Sequence, residues 1–470
     1  TTGITATEIR IGSTTSLSGP VSALGIQARC QEAFFRMINE QGGVAGRQIK
    51  YIYYDDGFAP PKTVEQVRKL IESDEVAFLF NMLGTAPNSA VVSYINSKKV
   101  PHLFLSVNGD KWGDYEKYPW TMGFAPSARI ESQIYTKHAL QQNPKAKFAI
   151  LYQNDDLGKD YVAGVRDVLG AEFDSRAKAV AHEVSDPTID SQIVSLKATD
   201  ADVLLSGTTA KFAAQSIRKA FDLQWKAMHY IASGASSITG AINPAGPERA
   251  IGVMTSAYVK DASDPEWAAD KGVADYVAFM GKYFPEGNPK DAYCIYAYTV
   301  AQVLMQIFKQ CDGKLTRENI MKQAENLKDF VVPTLLPGVK VNTSPTNHHP
   351  LRQVQLARWE GAGWKRFGAV IEGHRGADVR PAGAGAFAES GLDDGGRAAS
   401  TEVDVRTRAR HAAGRCGSGD VHHVDRHHDV GSWPDVDHGP IHAVGDVQRH
   451  VGVAGRTGVD IRPRRRRPRP

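Results

Sequence analysis

The sequence predicts an α/β fold made of two parallel-sheet domains, and three observations predict it. Short apolar runs of strand length alternate with amphipathic helical stretches from Glu8 onward. The rhythm breaks at Trp120–Pro126 and restarts, so the repeats fall into two sets. The run Val76–Met82 is almost unbroken in apolar residues, as a strand covered on both faces requires.

The elements follow in order. Glu8–Thr15 alternates around Ile9 and Ile11 and reads as the first strand. A polar loop, Ser16–Pro20, leads into a helix with Phe34, Phe35 and Ile38 at helical spacing, stopped by Gly42-Gly43. Gln48–Asp55 is the second strand. Pro60-Pro61 opens a helix with Val64, Val67, Leu70 and Ile71 on one face. Val76–Met82, a helix over 89–98 and the strand His102–Leu105 complete the first set. The second set reads helix 130–140, strand 148–152, helix 160–169, strand 180–184 and helix 192–197. Strand 203–205, helix 213–221 and strand 228–232 finish it. Right-handed crossovers should wind both sheets.

After a strand at 251–259 the pattern turns helical over 273–284, 292–309 and 317–327, the last opened by a Thr316 cap. Val354–Trp359 and Trp364–Val370 around Glu360–Gly363 read as a closing hairpin. No repeat of 20–50 residues argues for a solenoid.

Composition divides the 470 residues near Gly373. Residues 374–470 hold 16 arginines, 13 acidic residues and 9 of the 15 histidines, with no Lys, Tyr, Met or Asn. The rest carries 40 basic against 39 acidic side chains, so the overall +4 is mostly the tail's and implies no acidic partner for the body. No nucleic acid is expected there. Arg462–Arg469 would suit an anionic surface, and His422-His423 with His427-His428 a metal. The preferred reading is a disordered Arg/His/Gly-rich tail whose composition resembles GC-rich DNA translated in an unintended frame. No apolar run reaches the roughly 18 residues of a membrane span. Cys30, Cys294, Cys311 and Cys416 form no CxxC. Cys294 could pair with Cys311 in an oxidising compartment, although buried thiols are the simpler reading.

Parallel sheets bind ligands where strands run into helices. That rule selects Ser16–Leu24, Met82–Asn88, Ser106–Lys111 and Thr208–Lys211. Gly84-Thr85 at a helix start offers free amides and a hydroxyl to a carboxylate, unless Thr85 only caps its own helix. There is no GxxxxGK[ST], GxSxG, HExxH or EF-hand loop, so no catalytic residue, metal or cofactor is assigned. Asp55-Asp56 and Asn154–Asp156 read as loop caps before metal or ribose ligands, and His348-His349 is a weak metal hint.

Three segments, EIRIGSTTSLSG at 8–19, INEQGGVAGRQIKYIYYDD at 38–56 and YQNDDLGKDYVAG at 152–164, resemble branched-chain-amino-acid-type periplasmic binding proteins, the solute receptors of ABC importers. The resemblance is colinear over residues 8–371. It implies the type I fold: two Rossmann-like lobes with parallel sheets, joined by three hinge crossings. Lobe one would be 1–122 plus 253–330, and lobe two 123–252 plus 331–373. It implies a ligand carboxylate on Leu83, Gly84 and Thr85, a second loop at Ser106, Val107 and Asn108, and a wall at Leu24. Lids would fall at Leu157 and Thr208, and a further aromatic wall at Tyr293. It also implies a periplasmic monomer, its leader removed, that closes on a small carboxylate ligand and docks on permease subunits.

One departure matters. Where amino-acid binders of this family place an acid against the ligand ammonium, this chain has Ala232–Ser236, around Gly234, with no carboxylate. A buried ammonium without a partner costs several kcal/mol. An aromatic or other organic acid is therefore expected in place of a branched-chain amino acid. A ligand-sensing regulator, a two-lobed enzyme of glycosyltransferase type and a bare interaction module are the competing readings. The lack of GxGxxG in the first β-α turn speaks against a nucleotide site.

Overall fold

Two sheets organise the chain. The computed structural model describes residues 1–19 and 21–374; Cys416, the Arg462–Arg469 run and the paired histidines at 422–423 and 427–428 lie outside them. The first sheet has strand order β2-β1-β3-β4-β5, all parallel, from β1 (Glu8–Thr15), β2 (Gln48–Asp55), β3 (Phe78–Phe80), β4 (His102–Leu105) and β5 (Thr121–Gly123). The second has order β12-β11-β10-β9-β8-β6-β7. Its parallel strands are β6 (Phe148–Gln153), β7 (Ala177–His182), β8 (Val203–Gly207), β9 (Met228–Ile231) and β10 (Met254–Ala257). The expected hairpin, β11 (Gln353–Trp359) and β12 (Trp364–Glu372), adds to its edge antiparallel.

Helices flank both sheets: α1 (Ile26–Glu40), α2 (Pro60–Arg68), α3 (Thr85–Ser97), α4 (Ala128–Gln142), α5 (Asp156–Leu169), α6 (Phe173–Arg176), α7 (Asp190–Lys197), α8 (Ala210–Asp222), α9 (Asn243–Ala245), α10 (Lys271–Tyr283), α11 (Ala292–Cys311) and α12 (Arg317–Ala324). Side-chain caps start several of them. Ser127 accepts from Ile130 N, Asp155 from Gly158 N and Thr316 from Asn319 N. Each such cap is worth about 1 kcal/mol.

The apolar run 76–82 is buried throughout, but only Phe78–Phe80 pairs as a strand. Ile9, Ile11, Phe78 and Phe80 pack on α1, α10 and α11 in the first lobe. In the second, Phe148, Ile150, Val203 and Leu205 pack on α4, α5 and α8. Each such side chain, fully buried, contributes about 1.5–3 kcal/mol.

Sheet membership moves two expected boundaries. β10 pairs with β9 and β11, so the chain returns to the first lobe after Ala257 rather than at 253. Val332, Leu335, Val341 and Leu351 still pack in the first core, so the third crossing comes just before Gln353, not at 331. The reason is pairing: a strand at 254–257 fills the sheet between two neighbours, whereas its apolar pattern alone suits either lobe. The second crossing is itself tied down, with Val259 bridging Leu335 and Leu336 N donating to Tyr258 O at 2.9 Å.

The cysteines are also corrected. Cys30 on α1 pairs with Cys294 on α11, their Cα atoms 5.7 Å apart, and Cys311 is a buried free thiol pushed up to about 11 by burial. Helix α11 places Cys294 and Cys311 at opposite ends, so they cannot meet.

Candidate ligand-binding cleft

In the first sheet the strand order reverses between β1 and β3, and in the second between β6 and β8. Loops leaving such switch points border the crevice in open parallel sheets.

The loop after β1 is held by Asp55. Its carboxylate accepts from Leu17 N at 2.8 Å, Ser18 N at 3.2 Å, Gly57 N at 3.0 Å and the Ser18 hydroxyl at 2.5 Å. Burial pushes its pKa up, but the bonds from Ser18, Gly57 and Leu17 outweigh it and bring it to about 2. Asp56 accepts from Phe58 N and the Thr63 hydroxyl. Both acids are therefore spent on the loop. Leu24 ends up half-buried in the last turn before α1.

The loops after β3 and β4 meet. Leu83 bridges Ser106, Leu83 N donates to Thr14 O at 3.2 Å, and Gly84 N to Ser106 O at 3.3 Å. Gly84 has φ 95° and ψ 137°, and a Cβ there would sit 2.4 Å from the Phe58 ring. Only glycine fits that backbone and that contact. Gly84, not Thr85, is the N-cap of α3, and no side chain caps it. Thr85 is thus the first helical residue, with an amide that has no intrahelical partner. Asn88 locks the turn through Gly84 O at 2.7 Å and Met82 O at 3.1 Å, and His102 Nε2 lies 2.9 Å from its Oδ1.

Two non-glycine residues beside these loops take the left-handed conformation: Asn81 at φ 53° and Phe104 at φ 56°. Such strain of about 1–3 kcal/mol persists where surrounding contacts over-determine it, and it clusters at functional sites. Here Asn81 Nδ2 donates to Phe104 O at 2.6 Å and lies 3.3 Å from the Tyr296 hydroxyl, and its Oδ1 accepts from Gln31 Nε2 at 2.8 Å. Ser106 Oγ donates to Gln27 Oε1 at 2.8 Å. A buried polar ladder thus backs the loops from α1 to α11. Burial pushes the Tyr296 phenol up to about 12 against bonds from Asn81 and Ser106. Val107 is buried against Leu105 and Trp112, while Asn108 O accepts from Ala128 N at the first crossing.

On the second lobe the expected residues are more scattered. Leu157 is half-buried in the first turn of α5 and packs on that lobe's core. Thr208 is 1% exposed, and its hydroxyl is 2.7 Å from His182 Nε2, so it points into the lobe. The adjacent Thr209 is the exposed residue. Gly234 is exposed, with nothing near its missing Cβ. Tyr293 is half-buried at the start of α11, where Asp291 caps the helix through Tyr293 N at 2.8 Å.

The sequence reading missed Glu131 on α4. It is 2% exposed, and its carboxylate accepts from the Tyr161 and Ser256 hydroxyls and from Ser233 N at 3.2 Å. Burial, aided by this charge, pushes the Tyr135 and Tyr161 phenols well up. Tyr258, at the second crossing, packs against the cores of both lobes, and burial pushes its phenol well up. A signal existed: Glu131 lies on the same helix stripe as buried Tyr135 and His138.

Across the lobes, Lys111 Nζ is 2.7 Å from Asp156 Oδ2, and Asp110 N donates to Asp160 Oδ2 at 2.7 Å. His348 contacts Thr121 O and Glu325, and His349 lies 3.4 Å from Asp110. Among the described residues no group of three or more His, Cys, Asp or Glu side chains is placed to hold a metal, and no helix is long and apolar enough to cross a membrane.

Solved structures share this architecture. A possible leucine/isoleucine/valine-binding protein from Rhodopirellula baltica SH 1 matches with TM-score 0.66 and 18% identity, over 80% of this chain and 98% of its own. A branched chain amino acid ABC transporter from Thermus thermophilus with bound valine matches with TM-score 0.68 and 14% identity, over 79% and 98%. A fatty acid ABC transporter substrate-binding protein from Thermomonospora curvata matches with TM-score 0.63 and 20% identity, over 81% and 97%. These likenesses establish the type I fold. No curated protein is a detectable sequence relative. The family model described as periplasmic binding protein matches residues 8–364, so the chain belongs to the periplasmic binding proteins, solute receptors that work with ABC transporters.

Proposed function

We propose that this chain captures a small carboxylate-bearing molecule between its lobes by hinge closure and delivers it to ABC permease subunits, as a monomer, with no cofactor and no chemical step. The observation that carries this is the meeting of the Gly84-Thr85 turn with Ser106 at the first sheet's switch point. There the unpartnered amides at the start of α3 and the Thr85 hydroxyl suit a carboxylate. The valine and fatty acid named for two structural neighbours both carry that group.

An aromatic or other organic acid is favoured over a branched-chain amino acid. Residues 232–236 supply no acid, and the Glu131 oxygens beneath them already serve three donors of the chain. An α-ammonium would find no carboxylate oxygen in that segment free to accept its hydrogen bonds. Leu24 with Tyr258, Tyr293 and Tyr296 offers an apolar and aromatic surround, and Leu157, Thr208 and Gly234 mark the loops that would close over it.

Titration calorimetry with benzoate, octanoate, leucine and valine tests the reading. Benzoate or octanoate should bind at least about tenfold more tightly, the equivalent of 1.4 kcal/mol. Tighter binding of leucine or valine would overturn the ligand class. Thermal stabilisation by nucleotide sugars and by no acid would favour an enzyme instead.

A further inference from the structure

We infer that Glu131 sets the charge selectivity of the cleft: it admits a ligand with one carboxylate and rejects a second carboxylate at the lobe-two end. This rests on the carboxylate reading above. Glu131 comes from α4, yet its side chain collects Tyr161 from α5, Ser256 from β10 and the amide of Ser233 after β9. All three partners donate, which is the bonding pattern of an ionised carboxylate. Ser233 lies two residues past the end of β9, at the carboxyl edge of a parallel strand, where ligands meet such sheets.

The charge is almost wholly shielded from water, so it is screened far less than a surface charge. Ser256, which donates to Glu131, lies two residues before Tyr258, and Tyr258 packs against the cores of both lobes, so the charge sits close to where the lobes meet. No basic side chain is paired with Glu131 among its described bonds, and the neutral donors soften its charge without cancelling it. A ligand whose carboxylate rests on the Gly84-Thr85 turn would direct its far end toward Ser233 and Gly234. A neutral or hydroxylated end is compatible there, and a second anion is repelled.

Benzoate, terephthalate and the monoamide of terephthalate form the test, the last two differing in charge at nearly constant shape. The wild-type chain should bind the monoamide at least about tenfold more tightly than terephthalate. In Glu131→Gln that ratio should shrink by about tenfold, and Glu131→Asp, which keeps the charge, should restore it. A residue needed only for folding would weaken all three ligands in proportion and leave the ratio unchanged. Equal binding of terephthalate and its monoamide by the wild type overturns the inference even where the Gln variant fails to fold. If the wild type binds octanoate but none of these three, the inference falls and the carboxylate reading stands; if it binds no acid at all, both fall.

Discussion

Gly84 shows how a single residue shapes the cleft. Its backbone lies in a region open to glycine, its absent side chain leaves room for Phe58, and its amide reaches Ser106 O. Gly84→Ala should destabilise the protein by about 1–3 kcal/mol, read as a fall in urea midpoint at unchanged m. It should also weaken acid binding, because α3 can no longer start where it does. The Gly84-Thr85 pair was legible because glycine before a hydroxyl at a strand-to-helix turn is a local signal. Glu131, Tyr258 and Tyr296 were not. Their partners lie far along the chain, as Glu131–Ser256 illustrates with a separation of 125 positions. Thr208 looked like a lid by position and is turned inward by His182, a contact between strands that no spacing reveals.

Among elements, α1 and α11 carry much of the first lobe. Phe34 packs edge-on against Tyr298 at 5.4 Å, and Cys30–Cys294 links the helices across 264 positions. Gln27 and Gln31 flank the first cysteine, and Tyr293 and Tyr296 the second, so the bond aligns two walls of the candidate site. Replacing both cysteines by alanine should cost about 2–4 kcal/mol in denaturant unfolding. β1, β2 and β4 fall where alternation and apolar content put them, because each is short and bounded by turn residues. β5 escaped notice: its three residues, Thr121–Gly123, have no periodicity to read and are strand only because β4 lies beside them.

At the scale of the whole molecule, the lobes touch through opposed charges. Asp160 of α5 receives Asp110 N while facing the carboxylates of Asp110 and Asp156, with Arg129 as the nearby cation and Lys111 held by Asp156. Burial first, then the two acids, raises its pKa from 3.8 to about 7. The folded form therefore holds this proton more tightly than the unfolded chain. Its contribution to stability is complete below about pH 4 and is lost as pH rises through 7. Thermal unfolding followed from pH 4 to about pH 8 should show that decline, and Asp160→Asn, which still accepts from Asp110 N, should flatten it.

The late third crossing bears on how the chain is made. The second sheet receives the two strands beyond β10 only when residues 353–372 have emerged, long after β10 itself. Until then β10 presents a row of open backbone donors and acceptors. A chain interrupted before Trp359 would keep that edge bare, ready to zip onto a neighbouring polypeptide.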